Sequence, residues 1–178
     1  MKGVVIAFIF AILGLFLSSH AGSTLPRSEI ECGTKVAFLG IHFNDMSTEG
    51  AYNGIRKDEV ERIRISEEYI TQRLQAAGFF VVSNAPIADK LVKVFNPAQC
   101  NGCDIKFGRE LGVKYVVVSE ATKVSNLIQS VNIQMRDVET KYQVRGLAVD
   151  IRGNTNLAWK RGYRFIFDNS TLVGCETS

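Results

Sequence analysis

The chain has 178 residues, of which 46% are hydrophobic and 22% are charged, and its formal net charge is +3. So small a basic excess implies no nucleic-acid partner, because proteins that bind nucleic acid normally carry a clustered basic surface. The sequence contains no internal repeat and no low-complexity block.

The first 21 residues have the parts of a secretory signal peptide. Lys2 is followed by Val4–Leu17, a run of 14 residues without a charge, and small residues occupy positions 19 and 21, which a signal peptidase reads. The run is shorter than the ~20 apolar residues that a membrane-spanning helix needs. We therefore predict cleavage after Ala21, a periplasmic or secreted protein, and no transmembrane segment after cleavage. A retained N-terminal anchor is the alternative.

Cleavage would leave one ordinary domain. A chain of that length buries about two-thirds of its unfolded surface when it folds. We predict a flexible lead-in over residues 22–34, a single α/β domain over residues 35–169 and a polar tail over residues 170–178.

The mature chain would carry four cysteines into an oxidising compartment, and four cysteines permit three pairings. Cys100 and Cys103 are close in sequence, whereas Cys32 and Cys175 lie just outside the two ends of the predicted domain. We predict a Cys100–Cys103 disulfide and a Cys32–Cys175 disulfide that would tie the termini together.

Two apolar segments predict inner strands. Tyr115–Ser119 contains the unbroken run Val116–Val118, which has no polar face, so we expect a strand in the middle of a sheet with both faces covered. Lys35–Phe43 alternates between two sets that are both mostly apolar. Strict alternation would place Ile41 on the same face as Ala37.

The remaining pattern predicts a mixed sheet packed with helices. Asp58–Ala77 has helical spacing of apolar residues, and a strand at Phe79–Ser83 after so long a crossover favours a parallel pair. Asn44–Lys57 is polar and predicts a loop. Alternation over residues 130–138 and 142–152 predicts an antiparallel meander. A final helix is predicted over Thr155–Asp168, with Trp159 on its buried side.

Two polar residues stand near the carboxyl end of the first predicted strand. Open α/β sheets bind ligands at that edge, so His42 and Asp45 are candidate binding residues. A base or ligand role is the chemical alternative for His42. A hydrogen-bonded residue at the strand end is the simpler interpretation.

A basic segment ends the predicted domain and contains Arg152, Asn154, Lys160, Arg161 and Arg164. Residues three or four apart share a face on a helix, and guanidinium groups bind carboxylate or phosphate through paired hydrogen bonds. The segment is therefore a candidate binding surface for an acidic partner or a polyanionic glycan. The alternative is an ordinary solvated helix face.

The Cys100-x-x-Cys103 spacing is compatible with a static disulfide, a redox pair or half of a metal site. A position at a helix start would lower a thiol pKa, as redox chemistry needs. However, Asn96–Gln99 separates the motif from any strand, and Asp104 stands where haem attachment needs a histidine. With His42 as the one histidine outside the leader, a zinc site lacks ligands. We predict a static disulfide, no metal and no cofactor.

Several stretches resemble known proteins. The segments CNGC, LGVKYVVV and DIRGNTNLAWKRGYRF (Asp150–Phe165) are similar to an uncharacterised bacterial family known as a domain of unknown function. The wider layout resembles the amino-terminal domain of TolB, the curli-secretion lipoprotein and the lipoprotein activators of penicillin-binding proteins. This resemblance implies an α/β domain used for envelope assembly and protein contacts.

The function that we predict is a non-catalytic periplasmic binding or accessory module for an envelope protein or complex. Its candidate contacts are Asn44–Lys57 and Arg152–Arg164. The alternative is a thiol–disulfide or metal-handling protein that uses Cys100 and Cys103. A hydrolase built on His42 is the third hypothesis.

Overall fold

The structure is a computed structural model that describes residue 30 and residues 32–170. The predicted signal peptide and most of the polar tail lie outside the described residues. The elements follow in the order β1 (Lys35–Asp45), α1 (Thr48–Asn53), α2 (Lys57–Ala76), β2 (Phe80–Val81), a 3-10 turn (Ala85–Ile87), α3 (Ala88–Leu91), α4 (Cys103–Glu110), β3 (Tyr115–Lys123), β4 (Ile128–Asp137), β5 (Gln143–Arg152) and α5 (Asn156–Asn169).

The five strands form one mixed sheet in the order β2-β1-β3-β4-β5. β1 runs parallel to both β2 and β3, and β3, β4 and β5 form an antiparallel meander. The predicted α/β fold with a mixed sheet is therefore confirmed. β3 is the middle strand, and its valines at 116, 117 and 118 are at most 2% exposed. An unbroken apolar run is stable there because both faces of the strand are covered.

Helices cover the two faces of the sheet unequally. α2 and α5 pack on one face, where Leu74, Trp159 and Tyr163 join the apolar residues of β1, β3 and β4. α4 packs on the opposite face of β1 and β3 through Ile105 and Phe107. β4 and β5 carry mainly polar or small residues on that second face, as a sheet face without a helix requires.

A β-bulge at Gly40 changes the predicted faces of β1. Gly40 has φ 95°, and the register against β3 shifts between Phe38 and Ile41. Strict alternation was therefore wrong, because Ile41 lies with Phe38 on the α2 side and not with Ala37. The side chain of Glu67 accepts a hydrogen bond from the backbone N–H of Ile41 at 2.8 Å.

Two further expectations are corrected. The segment Asn44–Lys57 is not one loop, because β1 continues to Asp45 and α1 follows it. The side chain of Ser47 caps α1 by accepting a hydrogen bond from Gly50 N at 3.1 Å. The strand predicted over Phe79–Ser83 is only two residues long and lies at the edge of the sheet.

Within the described part of the chain, none of the helices combines the length and apolar composition needed to cross a bilayer.

Candidate functional site

A buried charged cluster lies where the parallel strands end. Lys123, the last residue of β3, pairs in register with Asp45, the last residue of β1, and its side chain is fully buried. Its ammonium group donates to Asp45 Oδ2 at 2.9 Å and to Glu59 Oε1 of α2 at 2.7 Å. The bulge at Gly40 puts Asp45 on the α2 side of the sheet, where it can meet Glu59.

The turn between β5 and α5 extends the cluster. Asn154 donates to Glu59 Oε1 at 2.7 Å and accepts from Arg62 Nη1 at 2.6 Å. Arg62 is 5% exposed, and its guanidinium carbon lies 6.0 Å from the centroid of the Trp159 ring. The indole of Trp159 donates to Gln129 Oε1 at 2.7 Å. Asn154 therefore links the carboxylate of Glu59 to the guanidinium group of Arg62, and these polar groups lie beneath α2 and α5.

The network keeps its buried groups charged. Burial alone would raise the pKa of Glu59, but hydrogen bonds from Lys123, the Arg56 backbone and Asn154 lower it below its usual value. The pKa of Asp45 is lowered in the same way, against its burial, by Ser47 and Lys123. Burial would lower the pKa of Lys123, yet its carboxylate partners raise it.

α1 lies against this cluster and is held there by Glu49. Its carboxylate accepts hydrogen bonds from Arg56 Nη1 at 2.9 Å, from Asn126 Nδ2 at 2.8 Å and from Lys123 Nζ at 3.3 Å. The chain between β1 and α2 is therefore fixed by side chains from the N-cap of α2, from the end of β3 and from the β3–β4 turn. These contacts order the segment that the sequence predicted to be a loop.

Large apolar side chains stand exposed on the same end of the molecule. The group that we call the apolar tip comprises Met46, Val124, Leu127 and Ile128. Their exposed fractions run from 52% to 74%. Backbone hydrogen bonds join the segments that carry them, from Met46 N to Lys123 O at 2.8 Å and from Gly153 N to Leu127 O at 3.0 Å. The apolar tip is thus anchored to the strands that carry the charged cluster.

Two of the predicted basic residues share a pocket next to the apolar tip. The pocket has a volume of about 240 Å³. It is lined by Ile151, Arg152, Thr155, Leu157, Ala158 and Arg161. Arg152 pairs in register with Ile128 of the apolar tip. Lys160 instead places its ammonium group 5.8 Å from the centroid of the Tyr69 ring, and Arg164 is exposed on α5.

His42 lies apart from these groups. It projects from the opposite face of β1 and packs against Phe95, with the ring centroids 4.8 Å apart. Its register partner on β3 is Glu120, which accepts hydrogen bonds from Asn96 and Gln99, both at 2.7 Å. The carboxylate of Glu120 therefore has amide partners, which no pattern in the sequence identifies.

Cys100 and Cys103 form a disulfide that closes the loop in front of α4, with their Cα atoms 5.6 Å apart. Cys32 lies in the turn before β1, and Cys175 lies outside the described residues, so their pairing stays a prediction. Among residues 32–170, no group of three or more His, Cys, Asp or Glu side chains is arranged to hold a metal ion.

Sequence reasoning placed Asp45 and Asn154 among the candidates, and the structure brings both into one network. It missed Lys123 and Glu59, which connect them, and Arg62, which donates a hydrogen bond to Asn154. Glu59 and Arg62 belong to a helix rich in charges, where nothing distinguishes a buried charge from a solvated one. The one available signal was Lys123, a lysine that ends the strand containing the apolar run Val116–Val118.

Two solved structures share the fold of this chain, and a third is also similar. The LpoB C-terminal domain from Salmonella enterica is 16% identical, with a TM-score of 0.52 over 70% of this chain and 86% of that chain. PelC from Paraburkholderia phytofirmans, solved as a dodecamer, is 13% identical, with a TM-score of 0.50 over 83% of this chain and 93% of that chain. Lipoprotein GNA1162 from Neisseria meningitidis is 14% identical, with a TM-score of 0.48 over 69% of this chain and 83% of that chain.

The sequence comparisons identify the family. No curated protein sequence matches the chain. The sequence pattern of the family DUF3280, described as "Protein of unknown function (DUF2380)", matches residues 34–171. That span contains β1 to α5, so it includes the whole sheet and the charged cluster. The predicted resemblance to an uncharacterised family is confirmed, and the chain belongs to the DUF3280 family.

Proposed function

We propose that the chain is a non-catalytic binding module that docks an envelope protein through the carboxyl end of its sheet, where β1 and β3 and also β5 finish. The apolar tip is the observation that carries this proposal. Apolar side chains that cluster on an exposed surface commonly mark an interaction site. The acidic and basic groups beneath the tip form hydrogen bonds and ion pairs with one another, so they can stabilise the conformation of this surface.

The surroundings of the apolar tip indicate the chemistry of its partner. Arg152 and Arg161 lie beside the tip, and neither has a carboxylate partner among the described residues. An apolar segment flanked by acidic side chains would cover the tip and pair with these cations. A partner of that composition also matches the acidic partner predicted from the basic segment.

The envelope location rests on the signal peptide predicted over residues 1–21 and on the family resemblance of the sequence. We propose that the exported protein is a single domain over residues 35–169, with the docking surface at one end of it.

The apolar tip can be tested by charge substitution. Leu127→Asp with Ile128→Asp places two charges on the proposed interface. Phe80→Asp with Tyr142→Asp is the matched control, because these exposed residues lie at the opposite end of the sheet. After chemical crosslinking in cells and quantitative affinity purification, an envelope protein captured by the wild type and by the control should be lost from the Leu127/Ile128 variant. Equal capture by both variants would contradict the proposal.

A thiol–disulfide function is the second candidate. Cys103 is the first residue of α4, where unpaired backbone N–H groups favour a thiolate. A redox role predicts disulfide exchange with a model dithiol and loss of that exchange in Cys103→Ser. A bridge that resists thioredoxin-class reductants would identify it as structural, which is the outcome that we expect for a secreted domain.

A further inference from the structure

The pocket beside the apolar tip combines cations with an apolar wall. Arg152 ends β5 and Arg161 lies on the second turn of α5, so each side chain is carried by a regular element. Leu157 and Ala158 contribute apolar surface, and Thr155 caps α5 by accepting a hydrogen bond from Ala158 N at 3.2 Å. Two basic residues and two apolar residues therefore line the same open pocket.

The two arginines differ from most others in the structure. The guanidinium groups of Arg56, Arg62, Arg64, Arg73 and Arg136 each pair with a carboxylate. Within the described residues, Arg152 and Arg161 have no ion pair and no side-chain hydrogen bond. A guanidinium group presents a planar fork of N–H donors that matches the two oxygens of a carboxylate. The pocket therefore offers unused donors for an anion.

The size of the pocket restricts its occupant. At about 240 Å³ it is smaller than the pockets of ~300–1,000 Å³ that hold drug-sized ligands. A group the size of one amino-acid residue is therefore a better match than a nucleotide or an oligosaccharide. The exposed Leu157 side chain beside the cations favours an occupant that is itself partly apolar.

We propose that this pocket binds a carboxylate carried next to an apolar side chain, as found at the carboxyl terminus of a polypeptide. The inference rests on the proposed function and specifies how the partner engages the basic side of the docking surface. The carboxylate pairs with Arg152 and Arg161, and the apolar side chain packs on Leu157. Both contacts are needed, because a pair of solvent-exposed charges alone contributes little to affinity.

Two matched probes test the pocket directly. N-acetyl-leucine has a carboxylate beside an isobutyl side chain, and N-acetyl-leucinamide has the same shape without the charge. In an NMR titration of the full chain, N-acetyl-leucine should shift the backbone amide signals of Thr155, Leu157 and Ala158, and N-acetyl-leucinamide should leave them almost unchanged. Equal shifts with both probes, or no shift with either, would overturn the assignment.

Substitutions identify the groups responsible. Arg152→Gln and Arg161→Gln should each weaken binding of N-acetyl-leucine about tenfold, because each variant removes hydrogen bonds between a charged donor and a charged acceptor. Lys106→Gln with Arg109→Gln, two exposed positions on α4, should have no effect. Shifts of the same size with inorganic phosphate would indicate an adventitious ion only. Arginine-dependent binding to vesicles with anionic lipid, without binding of N-acetyl-leucine, would assign the pocket to a membrane surface and overturn the proposal.

The proposal for the pocket and the proposal for the apolar tip can be contradicted independently of each other. If N-acetyl-leucine does not bind but the Leu127/Ile128 variant still loses its partner, the tip docks the partner and the pocket assignment is wrong. If N-acetyl-leucine binds as expected but the tip variant keeps its partner, the pocket stands and the docking surface proposed above is wrong.

Discussion

The ammonium group of Lys123 is sealed from solvent among three carboxylates, and two of these, from Asp45 and Glu59, are themselves buried. Charges in such a place are stable only while each one has its partners. The residue therefore has a structural role, since it neutralises the end of β1 and the start of α2 at the same time. Arg62 and Asn154 complete the network on the side of α5.

Removal of the cation should be strongly destabilising. Lys123→Met keeps most of the side-chain volume but leaves Glu59 and Asp45 without their cation, so we expect a loss of ~3–5 kcal/mol in the free energy of unfolding. Urea denaturation measures this loss, with Lys106→Met at an exposed site as the control. Glu59→Leu should lower the free energy of unfolding much less in the Lys123→Met variant than in the wild type. In that variant the substitution removes a buried carboxylate that has already lost its cation. Additive losses would show that the two residues are not coupled.

The same network predicts a loss of stability in acid. Because the folded-state pKa of Glu59 and of Asp45 lies below the ordinary values of 4.5 and 3.8, their contribution is complete above those values. It is lost as the pH falls through the lowered pKa values. The thermal midpoint of the wild type should therefore decrease as the pH falls below 4.5, and that of Glu59→Gln should decrease less. Parallel curves for the two proteins would exclude Glu59 as a source of the loss.

At the scale of elements, α5 is positioned by a close approach to the sheet. A Cβ atom added at Gly162 would lie 2.6 Å from Cγ2 of Ile151 on β5 and 3.2 Å from Cγ2 of Val131 on β4. Glycine at this position therefore lets the helix lie directly on the two strands. Arg161 lies on the outer side of the same helix and lines the pocket. The distance between α5 and the sheet therefore also determines where the pocket lies.

Gly162→Ala should destabilise the fold although alanine favours helices. The gain in helix propensity is ~1 kcal/mol, whereas forcing an extra methyl group into a packed contact typically costs ~1–3 kcal/mol. We expect a lower urea midpoint for this variant and an unchanged or slightly higher one for Gln72→Ala, an exposed position on α2. A rise in midpoint for Gly162→Ala would mean that α5 does not pack so closely on β4 and β5.

The central strand could be predicted from sequence because Val116–Val118 has no polar face, and only the middle of a sheet accommodates such a run. The faces of β1 could not be assigned by alternation, since the bulge at Gly40 shifts them by one residue. A glycine within a strand pattern was the available signal for that shift. The charged cluster could not be predicted, because Lys123 and Glu59 are 64 residues apart and meet only after folding.

For the whole molecule, the two ends of the sheet differ in character. One end carries the apolar tip, the paired charges beneath it and the pocket with its two arginines. The opposite end carries β2, the β4–β5 turn and the isolated exposed side chains Phe80 and Tyr142. This division predicts that contacts with a partner are confined to one end, which the buried network holds in a fixed shape.

Photo-crosslinking inside cells tests that division most directly. A photoreactive phenylalanine analogue at Leu127 should crosslink to one envelope protein, and the same analogue at Tyr142 should give no such product. Addition of Arg152→Glu with Arg161→Glu should reduce the product formed from position 127 without changing the amount of protein. A product formed equally from both positions, or only from position 142, would contradict docking through the carboxyl end of the sheet.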